Sequence, residues 1–472
     1  MSAKVRDKCG VIGISSRSSD VSLSLYNALI ALQHRGQESC GITVLSSGLW
    51  VPGLETRNSK LETHRGMGLV MRVFSEVDLE RMKGNAGIGH VRYSTTGVSD
   101  ARNAQPFFTD NIAIAYNGNL TNYKSVKRKL ESKGIKFETD SDTEVILRIL
   151  DNELVPPKEG GKERKAQVFS ACKKLMGEIE GAYSVAAVTA QGELIALRDP
   201  FGFKPFCLGR KGDAHYVCSE SAALDAVGAE FARDIKPGGA VYIDPSGKLD
   251  SAQVVASKKR AFCMFEFVYF ARPDSVIEGR TVEAVRLRLG EKLAEMKKLA
   301  VDLVIPVPDS GRSAALGYHM ATGIPMKEAL IKNRYIHRTF IMPDHDKRKR
   351  LVGLKLNVIQ SFVNGKKVAL VDDSIVRGNT MKRIVELVRN AEAKEVHLLI
   401  SCPPIIAPCF MGVDFPTSHE LIASGNTVEQ IRKELGVDSL TYLSLEKLHE
   451  AIGLKGLCDA CLTKEYPIEI AK

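Results

Sequence analysis

Two adjacent carboxylates in the second half of the chain are the strongest sign of chemistry in the sequence. The stretch "VALVDDSIVRGNT", Val368–Thr380, predicts a strand that ends on Asp372 and Asp373, followed by a loop of small and hydroxyl residues that opens a helix. In open α/β sheets, ligands bind at this end of the strands, and a helix N-terminus suits a phosphate group. Adjacent carboxylates repel each other, so we expect ribose hydroxyls, Mg²⁺ or both to stabilise them. The alternative is a plain strand–turn–helix in which Asp373 is a helix cap, and that would need only one acid.

This stretch resembles the phosphoribosyl-pyrophosphate (PRPP) motif of type I phosphoribosyltransferases. The resemblance implies that the acids face the ribose and one Mg²⁺ per subunit, and that the strand end "VIPVPDSG" grips pyrophosphate with Ser310 near the metal. It implies that PRPP is bound by Asp372, Asp373, Ser374, Arg377, Gly378, Asn379, Thr380, Lys332 and Arg338. The basic stretch 332–357 would be a lid that neutralises departing pyrophosphate and excludes water.

A single cysteine near the start of the chain, Cys9 in "RDKCGVIGIS", allows two interpretations. It could be an ordinary buried residue that opens a core strand. It could instead become the first residue of the working protein once Met1–Lys8 has been removed. A cysteine at a free terminus has its own α-amine, of near-neutral pKa, as general base. These ten letters do not decide between the two.

The rest of the first half favours the second interpretation. "CGVIGI", "LQHRGQES", "GHVRYSTTG", "YNGNLTN", "SDTEV" and "RDPFGFKP" occur in that order. Together they resemble the N-terminal-nucleophile glutaminase domain of class II amidotransferases. The resemblance implies that Cys9 is the nucleophile, that Asn117 and Gly118 stabilise the oxyanion, and that Arg92 and Asp142 bind the carboxylate and ammonium of glutamine. Singly, each has a simpler interpretation: Arg92 a surface ion pair, Asn117-Gly118 a hairpin turn, Asp142 a helix cap.

The two halves together resemble the glutamine phosphoribosylpyrophosphate amidotransferase family, from Cys9 to the C-terminal cysteines. "FVYFARPDS" at Phe267–Ser275, "RDPFGFKPFCLGR" and "VPDSGRSAALGY" support this family. It implies synthesis of 5-phosphoribosylamine, glutamate and pyrophosphate from PRPP, glutamine and water, which opens de novo purine biosynthesis. It also implies feedback inhibition by purine nucleotides and a homotetramer. The chain departs from the family pattern at Lys8, Cys40, Lys204, Arg312 and Asn379.

The tightest cysteine pair is "CDAC", Cys458 and Cys461. A CxxC pair alone fits a zinc knuckle, a redox site or the edge of an iron–sulfur cluster. One branch of the family carries a [4Fe–4S] cluster, one per subunit, and the positions matching its ligands are Cys263, Cys409, Cys458 and Cys461. Cys402 is a close neighbour of Cys409 and the most obvious alternative ligand.

Composition limits the class of protein. The net charge of +10 suggests anionic partners such as phosphorylated small molecules. There is neither a zinc-finger spacing nor an aromatic-rich basic strand pair, so we expect no nucleic-acid partner. No apolar run is long enough for a membrane span, so we expect no membrane partner. Ten cysteines in 472 residues do not form a secreted disulfide framework, so we expect a cytoplasmic protein.

The predicted architecture is a two-domain α/β protein. Short strands broken by Gly, Asn and Ser turns predict stacked sheets with helices outside, which the resemblance specifies as an αββα sandwich. Strands alternating with helices in the second half predict a doubly wound parallel sheet. The predicted boundaries are 1–8 for the propeptide, 9–255 for the glutaminase domain, 256–425 for the phosphoribosyltransferase domain and 426–472 for a helical segment with cluster cysteines.

Three rival functions remain at this point. A class II amidotransferase with another acceptor would lack "VDDSIVRGNT". A PRPP-sensing regulatory protein would need a nucleic-acid-binding domain, and it would leave the glutaminase half unexplained. A paralogue with an uncleaved propeptide would use ammonia only, which an assay with both nitrogen sources distinguishes.

Overall fold

The computed structural model of the chain describes residues 9–46, 60–93, 100–155, 161–257, 259–333, 356–415 and 417–470, with only the backbone of residues 161–163. The predicted propeptide Met1–Lys8, most of the predicted lid and Arg338 lie outside these residues. Within the described ranges, no helix is both long and apolar enough to cross a membrane.

The first half forms a seven-stranded and a six-stranded antiparallel sheet. Its strands are β1 (Gly10–Ser15), β2 (Ser39–Ser46), β3 (Lys60–Met67), β4 (Gly84–Arg92), β5 (Phe107–Phe108), β6 (Ile112–Leu120), β7 (Gly181–Thr189), β8 (Leu194–Arg198), β9 (Cys207–Lys211), β10 (Ala214–Cys218), β11 (Glu230–Asp234), β12 (Gly239–Ile243) and β13 (Leu249–Gln253). The strand orders are β11-β9-β10-β1-β4-β2-β3 and β13-β12-β8-β7-β6-β5.

Small apolar side chains fill the space between these sheets. Ala113, Ala115 and Ala186 pack there with Val11 and Val217. Helices cover the outer faces: α1 (Ser22–Ala31), α2 (Val70–Val73), α3 (Glu76–Arg81) and α7 (Ala222–Val227) lie on the first sheet, and α4 (Tyr123–Glu131), α5 (Asp142–Glu153) and α6 (Gly161–Glu178) on the second. A short turn of 3₁₀ helix spans Ala101–Asn103. The predicted αββα sandwich is confirmed.

The second half is built on a four-stranded parallel sheet whose strands, in spatial order, are Leu303–Pro306, Lys367–Asp372, Glu395–Ile400 and Ser439–Tyr442. The strands of the second half, in chain order, are β14 (Phe262–Cys263), β15 (Val276–Ile277), β16 (Arg280–Thr281), β17 (Leu303–Pro306), β18 (Leu330–Lys332), β19 (Leu356–Val358), β20 (Lys367–Asp372), β21 (Glu395–Ile400), β22 (Ser439–Tyr442) and β23 (Leu457–Cys458), so the parallel sheet has the order β17-β20-β21-β22. Its helices are α8 (Val282–Met296), α9 (Arg312–Thr322), α10 (Gln360–Val363), α11 (Asn379–Asn390), α12 (Val428–Leu435), α13 (Leu445–Ile452) and α14 (Ala460–Thr463), with a π-helical turn at Glu266–Phe270 and a 3₁₀ turn at Ser418–Glu420.

Local sequence explains the elements beside the acids. All residues of β20 after Lys367 are buried, because this strand lies between β17 and β21. Helix α11 buries Met381, Ile384, Val385 and Val388, the spacing of one helical face. This face packs against the sheet and holds the N-terminus of α11 at the end of β20. The predicted doubly wound sheet is confirmed.

The C-terminal segment, predicted as helical, also contributes strands. Strand β22 extends the parallel sheet, with His397 opposite Ser439 and Ile400 opposite Tyr442. Strand β23 pairs with β14, with Cys263 opposite Cys458. Both pairings join residues far apart in sequence, so local periodicity did not reveal them.

Candidate active sites

Cys9 lies immediately before β1, and the pairing of β1 with β4 brings it beside the end of β4. The register pairs Gly10 with Val91, and the Cys9 Sγ lies 3.9 Å from the carbonyl oxygen of Tyr93. Burial raises the pKa of the Cys9 thiol, and the positive charge of Arg92 opposes that rise. A thiol in this environment needs a base before it can act as a nucleophile.

Arg92 and Asp142 flank this thiol with opposite charges. Arg92 is buried at the end of β4, with its Nη1 3.2 Å from Glu38 Oε1, so it is not a surface ion pair. Asp142 is buried at the start of α5, and burial raises its pKa. The helix cap is Ser141, whose side chain accepts from the Thr143 N–H, so the helix-cap interpretation of Asp142 is wrong.

Asp142 is held in a fixed orientation. Its Oδ2 accepts hydrogen bonds from the Tyr116 hydroxyl at 2.9 Å and from the Leu120 N–H at 3.1 Å. The charge of Arg92 lowers the pKa of the Cys9 thiol and that of Asp142 raises it, so both groups lie near this thiol. A cation and an anion around a thiol match the two charged ends of a free amino acid.

Asn117 and Gly118 lie in the middle of β6 and do not form a hairpin turn. They pair with Ser184 and Tyr183 of β7. Within the described part of the chain, Oδ1 and Nδ2 of Asn117 are both buried without a hydrogen-bond partner. An unsatisfied buried amide costs about 1–3 kcal/mol, so such groups call for an explanation such as a bound ligand. The side-chain N–H of Asn117 is a donor of the kind that stabilises the oxyanion formed when an amide is attacked.

Gly118 permits a very close approach of β7. A Cβ at this position would lie 1.9 Å from the Ala182 carbonyl oxygen. We therefore expect Gly118→Ala to lower the free energy of unfolding by about 1–3 kcal/mol, because the strands must move apart. Urea unfolding measures this loss. Gly177→Ala is the control: nothing lies within 4 Å of its Cβ position in α6, so we expect it to stabilise by about 0.5–1 kcal/mol. Equal effects of the two changes would contradict the steric argument.

The acids at the end of β20 are buried and hydrogen-bonded. The Asp373 N–H donates to Asp372 Oδ1 at 2.9 Å. The hydroxyls of Ser310 and Ser374 donate to the two carboxylate oxygens of Asp373. The structure therefore brings Ser310 from the β17–α9 loop onto the acid pair, as the sequence predicted. The close approach of the β17–α9 loop to β20 depends on Gly311, where a Cβ would lie 2.3 Å from the Val371 carbonyl oxygen.

The loop from Ser374 to Thr380 leads into α11. Gly378 has φ +75°, and a Cβ there would also lie 2.5 Å from Ile422 Cδ1, so glycine is required. Thr380 Oγ1 is buried and has no hydrogen-bond partner among the residues described here. Asn379 is exposed at the start of α11. The guanidinium of Arg377 forms an ion pair with Glu420.

Two basic residues in this part of the second half form ion pairs with carboxylates other than Asp372 and Asp373. The Lys332 ammonium pairs with Asp309. Arg312, a departure from the family pattern, lies 2.9 Å from Asp309 and 2.9 Å from Glu328. Asp309 therefore ties the loop after β17 to β18, where the predicted lid begins.

The four predicted cluster cysteines are neighbours. Cys263 and Cys458 are register partners, and the N–H groups of residues 406 and 407, just before Cys409, donate to the Cys461 carbonyl oxygen at 2.9 and 3.1 Å. Burial raises the pKa of the Cys461 thiol, and Cys409, Cys458 and Cys263 raise it further, with a smaller effect of Cys402. No His, Cys, Asp or Glu residues of the described ranges form a group of three or more in ligand geometry for a metal ion.

Sequence reasoning missed two residues that contact the predicted glutamine-binding residues Arg92 and Asp142. Tyr116 orients Asp142, and Glu38 pairs with Arg92. Both belong to motifs quoted above, "YNGNLTN" and "LQHRGQES". Their membership in these motifs was the available signal.

Comparison with known proteins agrees with both halves. A glutamine amidotransferase domain matches residues 90–226, and a phosphoribosyl transferase domain matches residues 318–405. The chain is 46% identical over 473 residues to the amidophosphoribosyltransferase of Methanothermobacter thermautotrophicus, covering 98% of this chain and 95% of the relative. It is 42% identical over 477 residues to that of Bacillus subtilis, covering 99% and 95%.

Solved structures lead to the same result. The glutamine PRPP amidotransferase of Bacillus subtilis, solved with ADP and GMP, superposes with a TM-score of 0.87 at 41% identity and covers 98% of each chain. A structure described as the allosteric regulatory enzyme of purine biosynthesis also superposes with a TM-score of 0.87, at 41% identity. The chain therefore belongs to the amidophosphoribosyltransferase family and carries out its reaction, the first step of purine biosynthesis.

Proposed function

We propose that Cys9, freed by removal of Met1–Lys8, is the glutaminase nucleophile. Its thiolate attacks the amide carbon of glutamine and releases ammonia, and water then hydrolyses the thioester to glutamate. Arg92 binds the glutamine carboxylate and Asp142 the ammonium. The observation that supports this most is the buried side-chain amide of Asn117, which has no hydrogen-bond partner among the described residues and so has an N–H to offer an oxyanion.

In the second half, ammonia attacks C1 of PRPP and pyrophosphate leaves. We propose that Asp372 and Asp373 bind the ribose side of the substrate, and that the loop ending at Thr380 binds the 5′-phosphate. The buried Thr380 hydroxyl, which has no partner within the described ranges, supports this because its O–H can donate to a phosphate oxygen. An internal route for ammonia follows from chemistry, since ammonia released into water would be protonated and lose its nucleophilicity.

The donor set at the acid pair fits one Mg²⁺ per subunit. Asp372, Asp373 and Ser310 supply only oxygen ligands, and Mg²⁺ is commonly held by one or two carboxylates together with substrate phosphates. Mg²⁺ would neutralise charge on pyrophosphate. The protein's own part is to hold Asp373 rigidly through the hydroxyls of Ser310 and Ser374.

We propose that Cys263, Cys409, Cys458 and Cys461 hold one [4Fe–4S] cluster per subunit. The pairing of Cys263 with Cys458 and the hydrogen bonds that join residues 406 and 407 to Cys461 support this, and thiolates are the usual ligands of such clusters. The cluster would pin the C-terminal segment to strand β14 and to the loop around Cys409. That loop reaches the glutaminase half, since Asn119 Nδ2 donates to the Phe410 carbonyl oxygen at 2.9 Å.

Cysteine substitution tests the cluster. In anaerobically purified protein we expect about four iron and four sulfide per chain, and we expect Cys458→Ser to lose most of both together with thermal stability. Iron and sulfide assays and thermal unfolding measure this. Cys402→Ser, a buried neighbour, should keep full iron content. Zinc in place of iron, or equal iron loss in both variants, would contradict the assignment.

We further propose that purine nucleotides inhibit this enzyme, that it assembles as a homotetramer and that it is cytoplasmic. The ADP and GMP in the Bacillus subtilis structure support the first of these. Size measurement with and without nucleotide tests the assembly.

The experiment that tests the function follows pyrophosphate release from PRPP and Mg²⁺, once with glutamine and once with ammonium at high pH. Release with both supports the full proposal, including a processed Cys9. Release with ammonium alone means an unprocessed glutaminase half, and no release with either would overturn the proposal.

A further inference from the structure

A buried group of charged residues lies beside the Cys9 backbone, where the two halves of the chain meet. Arg35 is fully buried at the centre of it. Its Nε–H donates to the Cys9 carbonyl oxygen at 3.4 Å and its Nη1 donates to Glu220. Its Nη2 donates to both carboxylate oxygens of Glu266, at 2.9 and 3.0 Å. Arg35 and Glu220 belong to the first half, whereas Glu266 opens the π-helical turn of the second.

The motif "FVYFARPDS" completes this group. The Arg272 N–H and the Ser275 hydroxyl donate to Glu220 Oε2 at 2.9 and 2.7 Å. The His34 Nε2 lies 2.8 Å from Glu220 Oε1. Burial alone would raise the pKa of Glu220, but His34 and Arg35 hold it well below its usual range. Glu220 is therefore charged at neutral pH, and residues of the second half help to keep it in place.

These contacts determine where the Arg35 guanidinium lies. The guanidinium is held at two nitrogens, Nη1 by Glu220 and Nη2 by Glu266, which leaves it little orientational freedom, and a buried guanidinium is costly to leave unpaired. Because Nε belongs to the same plane, the orientation that Glu266 and Glu220 impose together also sets the direction of the Nε–H bond to Cys9, and loss of the Glu266 contact frees the Nη2 side. The Cys9 carbonyl in turn helps to set the direction of the amine and the thiol of that residue.

We propose that Glu266 is a positioning residue for the glutaminase nucleophile: it orients Arg35, which holds the Cys9 carbonyl, so that glutamine hydrolysis depends on a residue of the phosphoribosyltransferase half. This inference rests on the proposed role of Cys9. In this proposal Glu266 and the motif "FVYFARPDS" that follows it act on the glutaminase site of the first half and not on the PRPP site.

Glu266→Gln tests the proposal in the full-length enzyme, because glutamine keeps the shape and removes the charge. We expect the kcat of the glutamine-dependent reaction to fall about tenfold, with the KM for glutamine changed by less than about twofold. Alkylation of Cys9 by a chloroketone analogue of glutamine should slow by a similar factor. The ammonia-dependent kcat should stay within about twofold of the unmodified enzyme.

The matched control is Glu193→Gln. Glu193 is also buried and binds Arg164 at 2.8 and 2.7 Å, and its described hydrogen-bond partners all belong to the first half. We expect this change to leave the ratio of glutamine-dependent to ammonia-dependent kcat within about twofold. If Glu266→Gln does not fold, Arg35→Lys replaces it. That variant keeps the charge but not the fork of donors, so we expect the same split.

Three results would be decisive against one or other idea. An equal fall of both activities in Glu266→Gln would show a merely structural role, and glutamine-dependent and ammonia-dependent kcat values that both stay within about twofold of the unmodified enzyme would show that Cys9 does not depend on Glu266. If Cys9→Ser still uses glutamine, the proposed nucleophile itself is wrong, whatever Glu266 does.

Discussion

We expect replacement of Cys9 with serine to abolish use of glutamine and to leave use of ammonia intact. We expect glutamine-dependent pyrophosphate release to fall at least about 10³-fold, because loss of a covalent nucleophile removes the whole thioester route. Ammonia-dependent release should stay within about twofold, because the PRPP site is built by separate strands of the second half. Pyrophosphate release with each nitrogen source, in the presence of PRPP and Mg²⁺, measures the split.

Cys40→Ala is the matched control for this experiment. Cys40 is fully buried in β2 opposite Val91, and burial raises the pKa of its thiol to about 12. It lies within a strand, so its backbone nitrogen is an amide and cannot serve as the general base that the α-amine of a terminal Cys9 would supply. We expect both activities to survive in Cys40→Ala. Glutamine use that persists in Cys9→Ser, or a mature N-terminus that does not begin at Cys9, would contradict the nucleophile assignment.

Asp373→Asn produces the complementary defect. We expect both glutamine-dependent and ammonia-dependent synthesis to fall about 10²–10³-fold, the usual effect of removing one preorganised electrostatic group. The change removes the charge that Ser310 and Ser374 hold in place, whereas release of glutamate from glutamine at the Cys9 site should persist. Pyrophosphate and glutamate release, measured on the same preparation, separate the two sites.

The control for this change is Asp302, which lies just before β17 and binds the opposite end of β20. Asp302 Oδ2 accepts from the Lys367 N–H at 2.8 Å, at the start of β20. Asp302→Asn therefore removes a carboxylate from the same sheet without touching the acid pair, and we expect activity within about twofold of the unmodified enzyme. If Asp302→Asn and Asp373→Asn are equally impaired, the loss reflects sheet stability and the assignment of Asp373 is wrong.

Several parts of the fold and of the sites followed from the sequence because their signals are local. The apolar run of β20, the acids at its end and the helical period of α11 lie within one short stretch, and strand, loop and helix form there as predicted. Gly378 has the positive φ that only a glycine adopts without strain. The sandwich, the parallel sheet and the family followed from ordered motifs. The assigned roles of Cys9, Asn117 and the cysteines remain predictions.

Tertiary structure alone decided what depends on packing between distant segments. Strand β22 exists because β21 offers a parallel edge, and the Arg377–Glu420 pair depends on how the 3₁₀ turn lies over the loop. Nothing in the sequence around Glu266 indicates a contact with Arg35, which lies 231 positions earlier in the chain. Hydrophobic periodicity and turn chemistry act over a few residues, whereas hydrogen bonds between buried charges form only after the two halves have packed together. The sequence by itself therefore determined the fold class, the family and its reaction, whereas the packing of the two halves decided the contacts that hold Cys9, the proposed nucleophile.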